Sequence, residues 1–348
     1  MEKKLLASQS RRYETEIPYE DQRNFDEVED LPNIEVPEHH ILNIKRSSSV
    51  PININRKRSK GPHLKYIPEI GFGTFIGIEY KELLSKEKRH QVTRDAVSFA
   101  LKTGYRMLDL ATGYNNHDAV ADGIKASGIK RRLLYIVGKG DGGYDNIRDT
   151  IKSIFKCSDE EVGKGDNYLD LFLWHHAGNF KMKKDFMMWK QLERAVDDGI
   201  VSSIGVSNVY INTMKRLIYG DIKYRPHALE VECHIINQEK ELAEWCGIND
   251  VIMIAQSPLG YANSGILFDI PAVTEIAKNM AISPAQVLLS YTMSRGIIPI
   301  PSSRDDDHIL SNFESTNINI SISDLNKLEK CDTKTVLTTT SEEAKLKD

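Results

Sequence analysis

From Tyr66 onward, apolar runs of four to six residues alternate with amphipathic stretches, and the alternation is kept up to the end of the chain's apolar part. The runs at residues 70–73, 106–110, 133–138, 169–174, 201–206, 227–232, 251–256 and 297–301 predict eight strands. Between them lie apolar faces at helical spacing, such as Val92, Ala96, Val97 and Ala100, or Trp189, Leu192, Ala195 and Val196. Repeated strand–helix units need a parallel sheet covered by helices, and eight of them predict an α/β chain folded as a closed (β/α)8 barrel. Ser283-Pro284, an N-cap followed by a first-turn proline, predicts an additional helix over 283–294, and a last helix is expected near 323–331 outside the barrel.

The N-terminal part does not share this pattern. Up to about residue 62 the sequence is charged and punctuated by proline, as in Pro18-Tyr19-Glu20-Asp21-Gln22-Arg23-Asn24, with too little apolar periodicity to offset the loss of chain entropy. The expected organisation is therefore a mostly disordered leader over 1–62, the barrel over 63–335, and a frayed, flexible tail over 336–348. At 348 residues with a formal net charge of -4, the chain exerts no global pull toward nucleic acid or an anionic membrane. Cys157, Cys233, Cys246 and Cys331 have neither CxxC nor metal-ligand spacing, so no metal site is expected and a reducing, cytoplasmic compartment is the default. No run of about 18 apolar residues exists to span a bilayer, and Met1 to Ala7 lacks the apolar core of a secretory signal.

Four chemically matched side chains close or follow three consecutive strand runs: Asp109, Tyr114, Lys139 and His175. In a parallel barrel these strand ends converge on one mouth, where active sites are built. A phenol titrating near pH ~10 is a poor acid at neutrality, so an ammonium beside it would favour the phenolate. Asp109 would hold Lys139 in place, and His175 would orient a carbonyl oxygen for protonation.

An ordered series of blocks surrounds these four. It comprises Ile67-Pro68-Glu69-Ile70-Gly71-Phe72-Gly73-Thr74-Phe75, Thr103-Gly104-Tyr105-Arg106-Met107-Leu108-Asp109, Asp170-Leu171-Phe172-Leu173-Trp174-His175, Ile204-Gly205-Val206-Ser207-Asn208, Val231-Glu232-Cys233-His234, Ser257-Pro258-Leu259-Gly260 and Ser283-Pro284-Ala285-Gln286-Val287. Residues 66 to about 332 thereby resemble the aldo-keto reductase family, NAD(P)H-dependent enzymes on a TIM barrel. The resemblance implies a catalytic tetrad of Asp109, Tyr114, Lys139 and His175, with Tyr114 as general acid, and a small-molecule carbonyl substrate. It further implies that Ser207 and Asn208 bond the nicotinamide carboxamide, that Gly73 and Thr74 approach the ribose and phosphate side, and that Ser257 and Leu259 line the pyrophosphate.

Several positions depart from the family pattern. The usual carboxamide glutamine is Glu230, and the usual aromatic plate under the nicotinamide ring is Gln256, so cofactor binding is expected to be weaker than the family norm. After Ile300-Pro301 the usual lysine is Ser302, followed by Ser303 and Arg304, and the later arginine is His308; Asn312, the adenine contact, is kept. Arg304 is the cation available for a 2′-phosphate, with Asp305, Asp306 and Asp307 opposing it. The cofactor expectation is NADP(H), with NAD(H) as the second choice. Phe75, Trp174 and His176 are candidate substrate-pocket walls, Trp174 equally a candidate for barrel core, and His176 would make the pocket more polar. In the leader, Arg46-Ser47-Ser48-Ser49-Val50-Pro51 has the form of a phosphoserine motif that a phosphoserine-reading partner would take at Ser49, and Arg56-Lys57-Arg58-Ser59-Lys60 is a basic run. A non-catalytic nucleotide-binding or regulatory protein on the same barrel is the alternative reading.

Overall fold

In a computed structural model of the chain, described for residues 67–75 and 83–348, eight parallel strands follow one another around one sheet in sequence order. They are β1 (Phe72–Gly73), β2 (Met107–Asp109), β3 (Tyr135–Gly140), β4 (Leu169–Trp174), β5 (Val201–Ser207), β6 (Ala228–Glu232), β7 (Ile252–Gln256) and β8 (Ile298–Pro299). Each falls on an apolar run expected to form a strand. The helices are α1 (Lys86–Thr103), α2 (His117–Ser127), α3 (Tyr144–Phe155), α4 (Lys183–Asp197), α5 (Ile211–Tyr219), α6 (Lys240–Ile248), α7 (Ser264–Phe268), α8 (Pro271–Met280), α9 (Pro284–Ser294), α10 (Asp306–Glu314), α11 (Ile322–Glu329) and α12 (Thr339–Lys347). None is long and apolar enough to cross a membrane.

The ring is drawn together between β8 and β1 by two backbone hydrogen bonds, Gly71 N to Pro299 O and Gly73 N to Pro301 O, each 3.0 Å. The approach is close enough to require glycine. A Cβ on Gly73 would lie 2.9 Å from the Ile300 carbonyl oxygen.

Toward the C-terminal ends of the strands, side chains alternate across the sheet, as a period of two demands. Met107, Val137, Leu171, Leu173, Ala228 and Ile254 fill the barrel interior as one cluster. Leu108, Ile136, Phe172, Trp174, Leu229 and Val231 face the helices in another. Continuing the inner register by two residues puts Asp109, Lys139, His175 and Glu230 at the C-terminal mouth, which is how the strand pattern positions the chemistry.

The expected helix after Ser283 is present, and its start is doubly capped. Ser283 Oγ accepts from Gln286 N at 3.1 Å, while Gln286 Oε1 accepts from Ser283 N at 3.0 Å, with Pro284 in the first turn. Val287, Leu288 and Tyr291 of α9 pack with Val273 and Ile276 of α8 and Leu325 and Leu328 of α11 in a third cluster.

The C-terminal segment differs from the frayed tail expected for it. Residues 339–347 form α12, and the segment before it is anchored on the buried carboxylate of Glu232, which accepts from Leu337 N at 2.6 Å, Thr338 N at 3.1 Å and the Thr338 hydroxyl. Lys345 pairs with Glu239 at 2.5 Å, and Asp348 caps the start of α5 through Asn212 N and Thr213 N at 3.0 and 2.7 Å. The order comes from tertiary anchors that a polar sequence does not advertise. The leader lies outside the described residues, and with it the Ser49 motif and the Arg56 to Lys60 run.

Candidate active site

Lys139, at the end of β3, is completely buried. Its Nζ lies 2.5 Å from Asp109 Oδ2 on β2 and 2.7 Å from Glu230 Oε1 on β6. Burial opposes the ammonium charge, but Asp109 and then Glu230 outweigh it and hold the pKa well above the ordinary lysine value. Tyr114 stands above the cluster in the 3-10 turn Thr112–Tyr114, its ring centroid 5.4 Å from Lys139 Nζ.

Burial raises the Tyr114 pKa, Lys139 lowers it, and the charges of Asp109 and Glu230 raise it again, leaving the phenol above its ordinary value. The depression expected from Lys139 is thus one contribution, exceeded by burial and a second carboxylate. Tyr114 is therefore protonated at neutral pH. His175 meets the Tyr114 ring edge-on at 6.3 Å, and burial, the Lys139 charge and His176 drive its pKa down to about 2, so it is a neutral imidazole. His176 is exposed and stacks on His175, with centroids 4.4 Å apart and planes at 19°. Phe75 packs against Tyr114 at 4.9 Å and completes the wall on the β1 side.

Trp174 does not join them. It faces the helix layer, 7% exposed, with its ring edge-on to Phe180 at 5.7 Å, because it stands one residue out of register with His175. Of the two readings offered by the sequence, pocket wall and core, its position favours the core. Tyr261, which the sequence pattern did not single out, reaches Phe75 at 5.8 Å from the loop after β7. Only its closeness in sequence to the Ser257-Pro258-Leu259-Gly260 block could have pointed to it.

Along the mouth, Ser207 ends β5 and Asn208 follows it with a positive φ of 58° that asparagine tolerates. The Asn208 amide is already engaged, donating to His175 O at 2.9 Å and accepting from Gln256 Nε2 at 3.0 Å. Gln256 thus acts as a polar brace on Asn208. Ser207 Oγ and Glu230 Oε2, both buried, have no hydrogen-bond partner within the protein. Thr74 is engaged within the fold: its hydroxyl and N–H both bond Asp109 O, and its carbonyl accepts from Asn116, fastening the end of β1 to β2. Ser257 holds a φ of 50° in the turn closed by Gly260 N to Ser257 O, and Leu259 is half-buried against the α8–α9 cluster.

Ser302, Ser303 and Arg304 follow the seam. Arg304 reaches Phe75 O at 3.5 Å and lines a cavity of about 430 Å³ with Val92, Asp95, Ala96 and Asp305 to Asp307. Asp305 is the N-cap of α10, accepting from His308 N at 3.0 Å, whereas the His308 side chain is 75% exposed. Asn312 is buried on the same helix.

The family model for aldo/keto reductases matches residues 69–333. Glyoxal reductase of Bacillus subtilis (strain 168) is 32% identical over 76% of this chain and 88% of its own length. The 9,11-endoperoxide prostaglandin H2 reductase of Trypanosoma cruzi (strain CL Brener) is 30% identical over 76% of this chain and 87% of its own. Among solved structures, an aldo/keto reductase from Brucella melitensis aligns with a TM-score of 0.66 at 29% identity, covering 82% of this chain and 99% of that one. Ring order, mouth geometry and these likenesses agree: the chain belongs to the aldo/keto reductase family.

Proposed function

We propose that this protein reduces a small aldehyde or ketone to the alcohol, with Tyr114 as general acid and NADP(H) as cofactor. The observation that carries the reading is the half-buried Tyr114 phenol beside Lys139, with Asp109 below and a neutral His175 at its edge. When bound, a reduced nicotinamide dinucleotide supplies the hydride. The residues present fit such a group. Ser207 Oγ and Glu230 Oε2 are buried acceptors without a partner, suited to a carboxamide NH2. Asn208 would take its place beside them, and Arg304 with Ser302 and Ser303 would meet a 2′-phosphate.

The substrate carbonyl oxygen is held between Tyr114 and His175. Tyr114 donates its proton as negative charge develops on that oxygen, and Lys139 stabilises the phenolate left behind. His175, neutral throughout, orients without exchanging a proton. The exposed His176 stacked on it gives the mouth a polar face, and together with the name of the Bacillus relative, glyoxal reductase, this favours a small polar aldehyde. In the decisive experiment, NADPH oxidation is followed with glyoxal for the wild type and for Tyr114→Phe, with cofactor affinity measured alongside. Turnover should fall by about 10³-fold or more while affinity is kept; a variant retaining most of its turnover removes Tyr114 from the role.

A further inference from the structure

Two carboxylates, Asp109 and Glu230, share one ammonium in a space closed to water: all three side chains are 2% exposed or less. A single carboxylate would balance Lys139. The second leaves one negative charge over, and an unpaired charge in such a place is costly enough that the group takes up a proton instead.

Among the described residues, nothing else at the mouth supplies the missing positive charge. The turn after β2 offers the Tyr114 phenol, β4 the neutral His175 with the exposed His176 beyond it, β5 Ser207 and Asn208, and β7 Gln256. Glu232, two residues further along β6, is committed to His234 and the C-terminal segment. Asp109 Oδ1 is buried without a hydrogen-bond partner, which leaves the pair an oxygen to carry the proton while Glu230 Oε2 stays an acceptor for the carboxamide.

We propose that the Asp109–Glu230 pair carries one extra proton at neutral pH and that Glu230, acting through Lys139, returns it to Tyr114 after each reduction. The proposal rests on Tyr114 being the acid. In the step, the Tyr114 O–H bond breaks as the O–H of the alcohol forms. An N–H of Lys139 then breaks to restore the phenol, and a carboxyl O–H of the pair breaks to restore the ammonium. Lys139 ends as it began, and the net transfer is one proton from the carboxyl pair to the product. The site gains one negative charge in the same turnover that makes its hydride donor a cation.

Burial, then the Asp109 charge, lifts the Glu230 pKa against the pull of Lys139, to about 8. Burial lifts Asp109 as well. Glu230 is thus a positioning residue with a reservoir's function, and the phenol is reprotonated from within the protein.

Two measurements on the whole chain test this. Infrared titration without cofactor should show a protonated-carboxyl C=O stretch in the wild type at pH 7, fading around pH 8, and absent from Glu230→Gln. Steady-state reduction of glyoxal with saturating NADPH should decline through the same range in the wild type, and this step in the pH profile should be absent from Glu230→Gln, which has no carboxyl at that position to titrate near pH 8. No protonated carboxyl in the wild type, or a pH profile unchanged by Glu230→Gln, overturns the proposal. Tyr114→Phe measured in parallel separates the two levels. Should it stay active, the acid assignment itself is lost, whereas an inactive Tyr114→Phe beside a Glu230→Gln that keeps the step sinks the reservoir alone.

Discussion

At Arg304 a single guanidinium shares a cavity with Asp95, Asp305, Asp306 and Asp307, and the balance of these charges decides how much a phosphate gains there. If Arg304 is the 2′-phosphate contact, Arg304→Ala weakens NADPH by roughly 1.5–3 kcal/mol, the size of a lost charged hydrogen bond, and leaves NADH nearly unchanged. Fluorescence titration of both cofactors checks this, and equal losses would place the side chain on a part the cofactors have in common. Asp305 has a separate reason to be present, as the cap of α10, so its repulsion is a by-product of helix chemistry. At this scale the sequence was informative about residue types and mute about sides and partners. Asp109, Lys139 and His175 were legible because each ends an apolar run. Trp174 was ambiguous because a one-residue shift turns a strand side chain from mouth to helix layer. The contact of Glu230 with Lys139 spans 91 positions of sequence, and no local pattern encodes it.

Elements were the most legible level, because a buried parallel strand must be apolar on both faces and a covering helix on only one. The α9 start was readable from Ser283 and Pro284, a cap and a first-turn proline, and the structure adds Gln286 as the reciprocal partner of the cap. Ser283→Ala should destabilise the protein by about 1 kcal/mol, seen as a lower midpoint in urea with an unchanged slope and with cofactor affinity kept. A drop in affinity of comparable size would instead tie this cap to the site. α12 was illegible for the complementary reason. Its sequence carries no apolar stripe, and its order is owed to Glu232, Glu239 and the start of α5, residues far away along the chain.

For the molecule as a whole, Glu232 links the barrel to its C-terminal segment, and the sign of its pH dependence follows from its partners. Burial works against its charge, but hydrogen bonds from His234, Thr338 and Leu337 outweigh this and bring its pKa down to about 2. A carboxylate depressed below its unfolded value, near ~4.3, contributes stability that is complete above that value and disappears as pH falls through about 2. Glu232→Gln should therefore lower stability by about 2 kcal/mol at pH 7, with the gap to wild type narrowing between pH 4 and pH 2 in thermal melts. A gap independent of pH would mean that shape, and not charge, anchors the segment. The seam between β8 and β1 has a consequence of another kind. The first and last strands of the ring are joined by two hydrogen bonds, and the proposed dinucleotide contacts lie on both sides, at Gly73 on one and at Ser302 to Arg304 on the other. A molecule gripped from both sides is a clasp on a hoop: it restricts the excursions of the seam, and by mass action each tenfold rise in its concentration above its Kd makes the hoop harder to open by about 1.4 kcal/mol.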